Sequence, residues 1–265
     1  MCKFCDIVNS LPDLFSEQEM DRYIAAIFAG TINIRNLDRV TYLKVADRLK
    51  QGVYSGYGKS IDSVLYLSED YKMLYALRDN VYIFSAAKEY QSVRHMSSLL
   101  TDNGKIVPFN EFKKQASKVY EDYNKAYLNA EYNSAIAQSR TASQWLDIEA
   151  QKGLFPYLQY QTAGDGRVRP EHAALNGIIK KVGDPFWDKY MPPNGWNCRC
   201  DVIQIDEGKV TDTTNLVVEN VPDIFKFNAG KERIVFSKEH PYYDVAPKDK
   251  AFAKTNFGLP MPYEI

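Results

Sequence analysis

The sequence predicts an α+β protein: an elongated helical N-terminal region, then a small α+β module, then a short C-terminal tail with a β-hairpin. Three observations predict it. Apolar residues recur at steps of three and four through residues 1–152, the period of an amphipathic helix. From Gly153 to residue 206 the texture changes to short alternating runs punctuated by Gly and Pro, and residues 207–265 read as tail and arm. The chain of 265 residues, 45% hydrophobic and 25% charged, can bury a core and is short for three domains.

The first helix is announced by "LFSEQEMDRYIAAIFAG". Ser16 is its N-cap, Glu19 three residues on completes a capping box, and Gly30 stops it. Helical spacing continues through "LDRVTYLKVADRLKQG" and "SVLYLSEDYKMLYALRDNVYIFSAAKEYQSVRHMSSLL". From Asn110 to Gly153 the pattern is most regular. Phe112, Ala116, Val119, Tyr123, Ala126, Ala130 and Ala137 form a heptad-like seam that misses one step, at Asn133. Its small residues would let another helix approach closely. Unbroken, such a helix runs roughly 60 Å at 1.5 Å per residue. Ser and Thr at Ser139–Ser143 compete for backbone hydrogen bonds and predict a kink there.

"LFPYLQYQTA" alternates as a strand does. "GDGRVRPEH" reads as a turn and the start of a helix, with Pro170 in the first helical turn. "AALNGIIKKVG" predicts a short helix closed around Gly177 and leading into a strand or loop, and "DPFWDKYMPPNGWN" a loop. In "CRCDVIQI", Cys198, Cys200 and Val202 fall on one strand face and Arg199, Asp201 and Ile203 on the other. "FKFNAGKERIVF" predicts a hairpin turning at Asn228 to Gly230.

Charge narrows the function classes. Lys and Arg number 33 against 34 Asp and Glu, so no whole-protein basic field points to nucleic acid. Lys105, Lys113, Lys114, Lys118 and Lys125 are interleaved with Glu111, Glu121 and Asp122, the pattern of a solvated helix face. Nineteen tyrosines suit interfaces and wide, half-exposed helix faces. "MCKFCDIVNSLPDLF" has no apolar core of a signal peptide, and no run approaches the ~18 residues of a membrane helix. The expectation is synthesis in the cytoplasm and no membrane anchor.

Chemistry concentrates in residues 192–200, "PPNGWNCRC". Four cysteines in two tight pairs are not a secreted disulfide framework. Cys198 and Cys200, alternate residues of a strand, point the same way about 6.5 Å apart, which does not suit a bridge. Three readings stay open. Cys2, Cys5, Cys198 and Cys200 supply four thiolates for zinc; His172, Cys198 and Cys200 supply three ligands, with Asp165 or water as the fourth; or the thiols simply pack as small buried hydrophobes. The last leads, so no cofactor is expected. Histidines are only His95, His172 and His240, and no phosphate loop, zinc-protease helix or nucleophile elbow is present. Asp165, Arg169 and His172 would serve acid–base chemistry, but a turn-forming Asp, a bridging Arg and a loop-capping His explain them better. Mechanically, Pro192 and Pro193 stiffen an extended approach, Asn194-Gly195 turns with positive φ, and Trp196 covers the core edge. Arg199 reaches Asp165 or Glu171 bidentately.

One ordered set of residues is more specific than any of these motifs. It comprises Tyr160, Thr162 and Asp165, then Val168-Arg169-Pro170 with His172, Leu175 and Gly177, then Phe186-Trp187. It closes on Pro192-Pro193, Gly195, Trp196, Asn197, Cys198, Arg199 and Cys200. This set resembles the Mu F-like, or phage head morphogenesis, proteins of tailed bacteriophages. The resemblance implies a minor head protein of the virion, at the portal vertex inside the head. It implies association with the portal protein, contacts with coat or scaffold protein and packaged DNA, and in some relatives ejection with the DNA. Some sister sequences carry Cys-x2-Cys where this chain has Arg169 and His172, a pattern like a zinc knuckle, so polar clamps are expected to replace two thiolates here. Residues 1–152 carry no motif that matches. The roughly 60 residues after the module are few for an independent enzyme domain. Two other classes remain: a metal-dependent hydrolase or host-modifying effector using His172, Cys198 and Cys200, and an internal DNA-binding head protein.

Overall fold

The computed structural model describes residues 11–216, 218 and 221–263. Cys2 and Cys5, and with them the four-thiolate zinc site, lie outside the described residues. The helices are α1 Glu17–Phe28, α2 Arg39–Tyr57, α3 Glu69–Ser98, α4 Phe109–Glu121, α5 Leu128–Gln151, α6 Pro170–Ala173, α7 Phe186–Tyr190, α8 Ala229–Glu232 and α9 Lys250–Ala253. The strands are β1 Thr101–Asp102, β2 Lys105–Ile106, β3 Tyr157–Gln161, β4 Ile179–Lys181 and β5 Asp201–Ile205. Long helices followed by small antiparallel sheets make this an α+β fold. The chain forms two compact units. Of the described residues, Gln51–Leu77 and Asn133–Glu239 belong to one; residues 11–50, Arg78–Tyr132 and the residues from His240 onward belong to the other.

In this second unit the capping box forms as the sequence predicts. Glu19 N–H donates to Ser16 Oγ at 3.2 Å, and Ser16 N–H to Glu19 Oε2 at 3.0 Å. Gly30 ends the segment at φ 76°. Asp38 starts α2 by accepting from the N–H and hydroxyl of Thr41, at 2.9 and 2.7 Å. Some tyrosines have a role other than the half-exposed one expected. Tyr23, Tyr42 and Tyr90 are fully buried, and their hydroxyls donate to Glu89, to the carbonyl of Pro260 and to Asp249 at 2.7–2.8 Å. They are core anchors whose polar tips find internal acceptors. The residues from His240 on are held by such bonds, Tyr242 Oη donating to Glu131 at 2.9 Å. Tyr90 also stacks on Phe257 at 4.8 Å.

The heptad-like seam is real but changes phase. Phe112, Ala116 and Val119 are buried as expected, whereas Tyr123, Ala126, Ala130 and Ala137 are not. The buried series resumes as Asn124, Leu128, Glu131, Ala135, Gln138, Ala142 and Trp145. Val119 and Tyr120 are both buried, and the face then passes to Asn124, one position beyond the seam's Tyr123, where a π-helical turn spans Asp122–Tyr127. One inserted residue in the i→i+5 pattern rotates every later side chain onto a neighbouring face. α5 is unbroken through Ser139–Ser143. Thr141 turns its hydroxyl outward to the carbonyl of Pro192, 2.8 Å away, and so does not compete with its own helix.

In the other unit β4, β3 and β5 form one antiparallel sheet in that order, with Tyr160 opposite Val202 and Leu158 opposite both Lys180 and Gln204. Its core unites Leu158, Tyr160, Val202, Trp187 and Leu175 with Trp145 and Ile148 of α5. The helix α6 is a single turn, and after Gly177, at φ 80°, the chain enters a strand, Ile179–Lys181, one of the two continuations expected there. Two segments depart from expectation. The expected loop after Gly183 contains α7, capped by Asp184, whose carboxylate accepts from Phe186 N–H at 2.9 Å. The expected hairpin does not form. Asn228 Oδ1 accepts from the N–H groups of Gly230 and Lys231 and starts α8 instead of a β-turn. Gly230 is there for space: a Cβ on it would lie 2.2 Å from Trp145 Cβ.

Candidate functional site

The site is a corner where the end of β3, the turn before α6 and the approach to β5 meet. Four asparagines and a glycine tie it. Thr162 donates its N–H and hydroxyl to Asn176 Oδ1 at 2.9 and 3.0 Å. Gly177 N–H donates to the carbonyl of Tyr160 at 2.8 Å. Tyr160 Oη donates to Asn194 Oδ1 at 2.9 Å, deep in the interior. Asn133 Nδ2 on α5 donates to Asn197 Oδ1 at 3.1 Å. Of these partners, Asn133 and Asn176, together with Thr141, were not assigned to the site from sequence, and Asn194 was expected only as a turn residue. Asn133 alone left a signal, as the polar gap in an apolar seam.

The nine-residue stretch differs from its mechanical reading in two details. The Pro192–Pro193 peptide bond is cis, so the segment is not a continuous extended one. The left-handed residue is Asn197, at φ 55°, and neither Asn194 nor Gly195 has positive φ. Gly195 serves another need. A Cβ there would meet Arg169 Nη1 at 2.9 Å, so glycine leaves room for that guanidinium. Arg169 Nη2 donates to the carbonyl of Trp196. Trp196 is half-buried, its ring edge-on to Phe225 at 5.0 Å. Trp187 is wholly buried and donates Nε1–H to the carbonyl of Lys181 at 3.0 Å.

Arg199 takes Asp165 and not Glu171. Both of its Nη atoms donate to the carboxylate at 2.6 Å, and Arg167 N–H adds a third bond at 3.0 Å. The Arg199 hydrogen bonds hold the Asp165 carboxyl well below the usual carboxylate range. A carboxyl depressed in the folded state contributes stability above the pKa of an unfolded aspartate, and that contribution is lost as pH falls. Thermal melts of the wild type are therefore expected to fall off more steeply below about pH 4 than those of Arg199→Ala, which melts lower at neutral pH. Parallel curves for the two proteins would contradict the clamp.

His172, Cys198 and Cys200 come together, all buried, their ligand atoms within 4.8 Å of one another. The thiols lie 3.5 and 3.6 Å from His172 Nδ1, while Nε2 lies 3.3 Å from the carbonyl of Asn194. Interaction with Cys200 and then with His172 lowers the Cys198 thiol well below its usual range, and the same pairing raises Cys200. Burial lowers His172, but the Cys198 interaction outweighs it and its pKa is raised. These donors also fit a zinc ion. A tetrahedron with Zn–S near 2.3 Å and Zn–N near 2.0 Å has S···N edges of about 3.5 Å. The Asn194 carbonyl faces Nε2 as outer partners of ligating histidines do. Asp165, considered as a fourth ligand, is committed to Arg199. The neighbouring cavity measures about 70 Å³, against roughly 300–1,000 Å³ for a small-molecule pocket. The trio is thus built to brace or to hold an ion, and a substrate of ordinary size has no room beside Cys198.

The family described as Phage Mu protein F like protein matches residues 101–203, from β1 to β5. The chain carries a Mu F-like region. Its span takes in the braced corner and also α4 and α5, where no motif was legible. Two curated relatives match part of it. One is "Putative capsid assembly protein F" of Escherichia phage Mu, 38% identical over 79 residues, 30% of this chain and 18% of that protein. The other is "Mu-like prophage FluMu F protein" of Haemophilus influenzae, 38% identical over 74 residues, 28% of this chain and 17% of that protein. The matched stretch thus spans less than a fifth of each relative's own length. No solved structure matches. No helix among the described residues is long and apolar enough to cross a membrane.

Proposed function

We propose that this is a minor head protein of a tailed bacteriophage, which associates with the portal during assembly and is packaged inside the procapsid. The observation that carries the reading is the Mu F-like match over the braced corner, together with a relative named for capsid assembly. The corner itself supports a structural role. Arg199, the asparagines and His172 spend their hydrogen bonds within the chain, and the cavity is small beside a substrate pocket. Coat or scaffold subunits and packaged DNA are the further partners of such a protein, and ejection with the DNA is its fate in that reading. A hydrolase or effector using His172, Cys198 and Cys200 gains no support from so small a cavity.

The test is quantitative mass spectrometry of purified procapsids and mature heads. The protein is expected in both, at few copies per head. Abundance in the lysate with none in either particle would sink the proposal.

A further inference from the structure

One feature of the corner is not used by the bracing. The small cavity beside the trio is walled by Arg167, Arg169, Arg199 and His172. Three arginines line it, and one carboxylate answers them. Arg199 is matched by Asp165 through two bonds. Arg167 reaches the same carboxylate only at 3.5 Å, and its side chain is 78% exposed. Arg169 is half-buried and has no carboxylate in ion-pair reach among the described residues. Its Nη2 donates to Trp196, while Nε and Nη1 meet no acceptor among them. A half-buried guanidinium without a counter-charge is costly, and buried charges are as a rule paired. Gly195 keeps the space that this guanidinium occupies.

The geometry points to an oxyanion site, in which Arg169 and Arg167 donate to a phosphate group seated in this cavity. Guanidinium forks match phosphate oxygens, and the open donors of Arg169 would gain acceptors there. The cavity of about 70 Å³ holds a few heavy atoms and no more, a water's share of volume being about 30 Å³. A phosphate enters, and whatever carries it stays outside. The group has two sources, a nucleic-acid backbone or a free phosphate such as that of a nucleotide.

The experiment titrates inorganic phosphate into the full chain at constant ionic strength, followed by calorimetry, for the wild type, Arg169→Gln and Arg167→Gln. Phosphate is expected to bind the wild type, with affinity about tenfold or more weaker in either variant. Should Arg169→Gln fail to fold, Arg167→Gln, changed at an exposed position, decides alone. A second arm measures a duplex oligonucleotide across a salt series. If the backbone is the source, Arg167→Gln lowers the slope of log affinity against log salt by about one. If duplex binding is the same in all three proteins while phosphate binding is lost, the source is a free phosphate. Phosphate binding no tighter than chloride, or equal in wild type and Arg167→Gln, overturns the site. So does binding that a chelator abolishes and the arginine variants retain, since that phosphate would sit on a metal.

Discussion

Trp187→Ala is expected to destabilise the unit that contains β3, β4 and β5 by about 3–5 kcal/mol, the range for removing a buried tryptophan. Trp187 is the largest wholly buried side chain in a core built on only three short strands. It meets Phe186 edge-on at 4.9 Å and shares the core with Leu158, Leu175 and Val202. A sheet of three strands cannot collapse far enough to refill that volume, so most of the cavity cost remains. Truncation also leaves the Lys181 carbonyl without the Nε1–H donor. Urea unfolding monitored on this unit measures the effect. A loss under about 1 kcal/mol would mean that the core tolerates the cavity, against this account.

The second large effect is expected at Gly56. A Cβ there would lie 2.0 Å from the Ile136 carbonyl oxygen and 2.7 Å from its carbonyl carbon. The obstruction is the backbone of α5, which cannot rotate aside as a side chain does. Gly56→Ala is therefore expected to cost about 3 kcal/mol or more, at the upper end of overpacking effects. Gly153→Ala is the control, since nothing lies within 4 Å of its added Cβ and its φ is ordinary. Melting temperatures of the two variants, side by side, check this. Equal melting would show that α2 and α5 are not in the close contact described.

Features carried by local chemistry were legible in the sequence. The Ser16–Glu19 box, the alternating strands and the Arg199–Asp165 pair depend on residue type and short spacing, which a sequence displays directly. A close helix approach was also foreseen, although the small residue that permits it is Gly56 on the partner helix and not an alanine of the seam. What stayed hidden depends on context. One extra residue in the π turn at Asp122–Tyr127 leaves no compositional mark, yet it re-phases all of α5. Asn228 suits a β-turn or an N-cap equally well, and only the packing of Gly230 on Trp145 selects the cap. The gathering of His172, Cys198 and Cys200 was weighed from sequence as one ligand set among several. The asparagines that orient the corner were not, because hydrogen bonds across 34 or 64 residues have no spacing signature.

Co-expression with the portal protein of the same phage, then size-exclusion chromatography with mass determination and a zinc assay on each peak, is the decisive measurement for the proposed portal association. Co-elution with the portal ring at a fixed ratio is expected. A free monomer that never joins the ring would contradict it, and one zinc per chain in that monomer would turn attention to His172, Cys198 and Cys200 as an independent metal centre.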